Sequence, residues 1–129
     1  MRAWNWFEET TVLAIHDEQL QQHGGLAGVR DVGLLKSALA RAEQLEAYGN
    51  PDVCDLAAAY AYGMARNHPF ADGNKRTAFV LAETFLALHD AMLIATDEQC
   101  YLSMVQLASG EIEQDAFAAW LRMNSRSIF

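Results

Sequence analysis

The sequence is poor in the features that would commit it to a membrane, an oxidising compartment or a nucleic acid. No run of 18 apolar residues occurs anywhere in the chain, so no spanning helix is expected. The start, Met1-Arg2-Ala3-Trp4-Asn5-Trp6, lacks the long apolar segment of a secretory leader. Only two cysteines are present, Cys54 and Cys100; both lie in apolar helical stretches and read as small core residues, not as a disulfide framework. Lys and Arg number nine against seventeen Asp and Glu, giving a formal net charge of -8. That deficit of cations argues against direct nucleic-acid binding, because phosphate backbones are held by Lys and Arg. Strand alternation, repeats and low-complexity segments are also missing. The expectation is a cytoplasmic protein without a membrane partner.

What is present is apolar residue at helical spacing. With 129 residues, 52% of them hydrophobic, the chain can bury the core of one domain. An all-α, single compact domain of about six helices is predicted over residues 1–129. Residues 1–9, with Trp4, Trp6 and Phe7, form an N-terminal arm, and residues 124–129 a frayed tail. A first helix begins after Thr10 or Thr11, carries Val12, Leu13, Ile15 and Leu20, and ends at His23-Gly24-Gly25. Asp31 caps a second, whose Leu34, Leu35, Ala38, Leu39, Ala42 and Leu45 recur at i, i+3 and i+4. Asn50-Pro51 reads as the cap and first position of a third, over residues 53–65. That helix is apolar nearly all round, the mark of a central element. A fourth starts at Asn74 and carries Ala78, Leu81, Ala82, Phe85 and Leu88. Thr96 and Gln99 make a capping-box pattern for a fifth, broken at Ser109-Gly110. Ile112, Ala116, Phe117, Trp120 and Leu121 outline a sixth.

The chemistry concentrates between the third and fourth helices, in His68-Pro69-Phe70-Ala71-Asp72-Gly73-Asn74-Lys75-Arg76. His68 is a candidate general base, since an imidazole can accept a proton at neutral pH. Asp72 is a candidate Mg²⁺ ligand, because that ion takes one or two carboxylates together with nucleotide phosphates and water. Zinc is not expected, as no second His or Cys stands at ligand spacing. Phe70 anchors the loop. Gly73 lets backbone N–H groups approach a phosphate, and Asn74 caps the helix that follows. Lys75 and Arg76 then stand at a helix N-terminus, which attracts anions, with Arg66 a weaker candidate for the same pocket. His16, His23 and His89 fall outside any constellation and receive no role.

The stretch resembles the signature of the Fic/Doc family, His-x-Phe-x-Asp/Asn-Gly/Ala-Asn-x-Arg. His68, Phe70, Asp72, Gly73, Asn74 and Arg76 match it position by position. Members that transfer AMP mostly have Gly between the Asn and the Arg, and a second Arg three residues after the first; here Lys75 and Phe79 occupy those places. The Asn-Lys-Arg-Thr-Ala ending is similar to the Doc (death-on-curing) branch, as is His23-Gly24-Gly25-Leu26 followed by Arg30-Asp31-x-Gly33.

The resemblance implies a Fic-like helical fold and a toxin that uses ATP and Mg²⁺ to phosphorylate a protein hydroxyl. His68 would be the base, Asp72 the metal ligand, and Gly73, Asn74, Lys75, Arg76 the phosphate cradle. It further implies a threonine of elongation factor Tu as target and a Phd-type antitoxin as partner. Two rival readings are AMP transfer, opposed by Lys75 and Phe79, and a non-catalytic binding module, opposed by the intact His68, Asp72 and Arg76. Self-inhibited Fic proteins carry Ser/Thr-x-x-x-Glu followed by Gly or Asn. The nearest match, Ser109 with Glu113, is followed by Gln114 and straddles Gly110, so it reads as a turn and restraint is expected from outside.

Overall fold

Six helices and one two-stranded ribbon make up residues 3–128, those that the computed structural model of the chain describes. In order they are α1 (Glu9–His23), α2 (Val32–Tyr48), α3 (Val53–Asn67), α4 (Asn74–Leu88), β1 (Ala91–Leu93), α5 (Asp97–Ser109), α6 (Gln114–Met123) and β2 (Ser125–Ser127). Met1, Arg2 and Phe129 lie outside the described residues, and with them the ends of the expected arm and tail.

Helix α3 is the axis of the fold, packed by α2, α4, α5 and α6. Its sequence explains this: Leu56, Ala57, Ala58, Ala59, Tyr60, Ala61, Met64 and Ala65 are all fully buried, so most of its surface is covered, with Asp55, Tyr62 and Arg66 left in reach of water. Small residues let neighbours approach. A Cβ placed on Gly63 would stand 3.0 Å from the Ala38 backbone, so only glycine permits this α2–α3 crossing. Tyr60 places a hydroxyl group in this core. Its hydroxyl oxygen accepts from the Phe7 N–H at 3.1 Å, and burial pushes its pKa up to about 12.

That bond ties the N-terminal segment down. Trp4 and Trp6 stack beside Phe85, and Phe7 meets Tyr60 and Phe85 edge-on. The His89 Nδ1–H donates to the Phe85 carbonyl at 2.7 Å, leaving Nε2 to accept from the Asn5 N–H at 3.0 Å. The arm is therefore a docked lid on the core, and α1 starts at Glu9, ahead of Thr10 and Thr11, after which the sequence predicts its start.

Two further expectations need correction. The tail does not fray at Asn124: β2 pairs antiparallel with β1, with Met92 opposite Arg126, and flanking bonds from Ile94 N to Asn124 O and from Ile128 N to Asp90 O extend the ladder. Three-residue strands are too short for alternation to show in sequence. The cap of α3 is Asp52, not Asn50. Asp52 and Asp55 form a reciprocal capping box, and Arg122 of α6 bridges both carboxylates at 2.8 and 2.9 Å. The Asp31 cap of α2 and the Thr96/Gln99 box of α5 stand as expected. Among the described residues no helix is long and apolar enough to cross a membrane.

Candidate active site

Helix α3 ends at Asn67 and hands the chain to His68, whose φ of 49° and ψ of 56° are left-handed. For a non-glycine residue this conformation costs on the order of 1–3 kcal/mol and persists only where the surroundings enforce it. The enforcing group is Arg30. Its Nε donates to the His68 carbonyl at 2.8 Å and its Nη2 to that of Asn67 at 3.0 Å, satisfying the end of α3. The His68 side chain is left exposed on the wall of a cavity.

Residues 69–71 then run as a short extended segment with both edges paired. On one edge, Arg30 N donates to Pro69 O and Ala71 N to Gly28 O, with Val29 opposite Phe70. On the other edge stands the Asn74 side chain: Oδ1 accepts from the Phe70 N–H and Nδ2 donates to the Phe70 carbonyl, both at 3.0 Å. Asn74 is thus not the helix cap that its residue type suggests. Its carboxamide, buried with the residue, replaces a missing β-partner. The cap is Gly73 at φ 76°, with no side-chain capping bond. The first amide groups of α4 are thereby left free, which is the electrostatic requirement for holding an anion.

Phe70 is 1% exposed, as an anchor should be, and its ring lies flat on His16 of α1, centroids 3.6 Å apart and planes at 5°. The His16 Nε2–H donates to the Asp72 carbonyl at 2.8 Å, which fixes the tautomer, since a carbonyl can only accept. His16 received no role from sequence, although its position four residues after Val12 and four before Leu20 put it on the buried face. Asp72 is held from a second side as well. Its Oδ1 accepts from Gly73 N at 2.9 Å and its Oδ2 from Leu26 N at 3.3 Å. A Cβ on Gly25 (φ 124°) would come within 2.9 Å of Oδ2, so the loop after α1 can cover this carboxylate only as glycine.

His68, Asp72, Gly73, Asn74, Lys75 and Arg76 together line a cavity of about 640 Å³. Its far wall is apolar, from Phe79 and Val80 of α4 to Tyr101 and Met104 of α5. Arg66 is not brought there. Its guanidinium lies over the Tyr62 ring, 5.1 Å from the centroid, and beside Gly110. Glu113 also points elsewhere, accepting from the Tyr62 hydroxyl at 3.4 Å, while left-handed Gly110 separates it from Ser109. Among the described residues no three His, Cys, Asp or Glu side chains converge on a metal position. Asp72 could serve only an ion that brings phosphates and water as its other ligands.

Fold and site together define an all-α protein with a histidine, a carboxylate and two cations around the free N-terminus of a helix. Residues 6–86 match the model of the Fic/DOC family, and the chain belongs to that family. It is 34% identical over 112 residues to the protein kinase doc of Escherichia phage P1, covering 86% of this chain and 88% of that protein. It is 41% identical over 103 residues to the toxin Doc of Mycolicibacterium smegmatis, covering 76% and 78%.

Proposed function

We propose that this protein is a Doc-like toxin that transfers the γ-phosphate of ATP to a hydroxyl group of a translation protein. The observation that carries the reading is the shared cavity, where an exposed imidazole faces a helix N-terminus bearing Lys75 and Arg76. The similarity to a relative named as a protein kinase supports the same direction. In this scheme the His68 imidazole takes the proton of the attacking hydroxyl. The Arg76 guanidinium and Lys75 ammonium neutralise charge that builds on the transferred group, together with the free amides of α4. Asn74 acts through the loop, since its side chain is committed to Phe70. Asp72 has an exposed carboxylate with lone pairs beyond its two backbone bonds and would hold Mg²⁺ alongside the phosphates. When bound, that ion supplies charge neutralisation and orientation of the phosphate chain.

Lys75 favours phosphate over AMP transfer, because it fills the space that AMP-transferring relatives leave to glycine. Elongation factor Tu as acceptor and a Phd-type antitoxin as restraint belong to the proposal through resemblance to Doc. The Glu113 position supports an external restraint, since that carboxylate is turned away from the cavity. Incubation with elongation factor Tu and ATP labelled at the α- or γ-phosphate tests the reading. Label from the γ-position alone is expected, and chelation of Mg²⁺ should abolish it. Label from the α-position alone would replace it with AMP transfer, and label from neither would leave a binding module.

A further inference from the structure

Gln19 has no part in the scheme above. It lies on α1 one turn after His16, on the face of the helix that covers the motif loop. Only 9% of the residue is exposed, yet it lines the cavity with His68, Asp72, Lys75 and Arg76. Its carboxamide has no hydrogen-bond partner among the described residues. The two glutamines on the outer side of the same helix do have partners: Gln21 donates to Asp17 and Gln22 to Glu18. The Gln19 amide is not among the side-chain groups sealed from solvent, so water serves it while no ligand is bound. An amide on a cavity wall with no bond to the protein is placed to exchange that water for a ligand.

The position of α1 decides which part of a ligand that is. His16 is fixed to the Asp72 carbonyl, and the loop after α1 is fixed to the Asp72 carboxylate through Gly25 and Leu26. Gln19 falls between these two attachments, over the residues that open α4. The apolar wall of Phe79 and Met104 lies farther along α4 and across on α5, where it suits an aromatic base and not an anion. A phosphate chain on the helix N-terminus offers many oxygen acceptors, and Lys75, Arg76 and the α4 amides reach it from α4 alone. An amide on α1 that lines the same cavity adds a donor from a second element.

We infer that Gln19 is a polyphosphate-binding residue whose Nε2–H donates to a phosphate oxygen of the bound nucleotide. The inference rests on the phosphoryl-transfer reading only in taking a nucleoside triphosphate as the occupant. It is tested in the full chain with Gln19→Leu and Gln19→Glu, by calorimetric titration with MgATP and with tripolyphosphate, and by thermal melts without ligand. Gln19→Leu should melt close to the wild-type temperature, because the amide it removes makes no hydrogen bond within the described protein. It should weaken both ligands by about tenfold, the loss of one hydrogen bond to a charged group. Gln19→Glu, equal in shape, should weaken both further by setting a carboxylate against the phosphates. A Leu variant that melts lower with unchanged affinities would make Gln19 a structural residue and overturn the inference. Loss of MgATP affinity with tripolyphosphate binding intact would also overturn it, moving the contact to the nucleoside. Wild-type protein that binds neither ligand overturns the inference and the phosphoryl-transfer reading together. Binding of both without transfer of label removes that reading alone.

Discussion

Replacing Asn74 with Ala deletes the clasp that closes the motif loop, and the geometry sets the size of the effect. The extended segment around Phe70 pairs with residues 28–30 on one edge; the Phe70 N–H and carbonyl point the other way and, among the described residues, meet only Asn74. Phe70 is buried, so both groups are left without a partner in the variant. Each such group costs about 1–3 kcal/mol. Water can reach the loop from the exposed side at Ala71 and Asp72, which favours the lower half of the summed range, about 2–4 kcal/mol. Asn74→Asp separates the two bonds: its carboxylate still accepts from the Phe70 N–H but opposes the Phe70 carbonyl. It also places a negative charge at the N-terminus of α4, which suits the helix and repels an anionic ligand. Asp should therefore be less destabilising than Ala and yet impair nucleotide binding more. Urea unfolding followed by circular dichroism measures the first ordering, and calorimetric titration with MgATP the second. An Ala variant with the wild-type urea midpoint would refute the clasp.

Three further expectations follow from other parts of the structure. His68→Ala should lower phosphate transfer by ~10²–10⁴ while leaving nucleotide affinity near wild type, and unchanged turnover would remove His68 as the base. His16→Phe keeps a ring against Phe70 but loses the bond to the Asp72 carbonyl; it should cost ~1 kcal/mol in urea unfolding and slow transfer, and a variant unchanged in both would deny His16 its positioning role. The Arg122 guanidinium, hydrogen-bonded to Asp52, holds that carboxyl below its ordinary value of 3.8 against the opposing effect of burial. A depressed folded pKa stabilises fully above the ordinary value and is lost as pH falls through the folded one. The stability difference between wild type and Arg122→Gln should then be under about 1 kcal/mol at neutral pH, since the pair is half exposed, and shrink in acid melts as pH falls below 3.8, vanishing only below the depressed folded pKa. A difference that grows on acidification would contradict the assignment.

Much of the fold was legible because helices announce themselves by spacing. The all-apolar run in α3 named the central helix, and Asp31 and Thr96 named two caps correctly. The errors have physical sources. Pro51 drew the cap of α3 to Asn50, whereas the reciprocal Asp52–Asp55 box, reinforced by Arg122 from 70 residues away, decides the start. The β1–β2 ribbon consists of strands too short to carry a period, and one of them is built from Ser-Arg-Ser. Asn74 satisfied every local criterion for a cap, but a backbone edge four residues upstream competed for its carboxamide and won.

The same competition explains which part of the site the motif encodes. Nine consecutive residues specify the chemical groups, because a loop between two helices brings base, carboxylate and cations together without help from the rest of the chain. Their orientation is set elsewhere. Arg30 imposes the left-handed turn at His68 across 38 positions, Leu26 engages the Asp72 carboxylate across 46, and His16 fixes the Asp72 carbonyl across 56. In a planar trans peptide the carbonyl and the next N–H point in opposite directions, so a bond to the Asp72 carbonyl also aims the Gly73 amide. Helix α1 and the loop after it therefore act as a template against which the motif is cast. Three ordinary polar contacts, each worth ~1 kcal/mol, offset the strain at His68 only when all act on one rigid loop. A motif transplanted onto another helical pair without α1 would bring the groups and lose their aim.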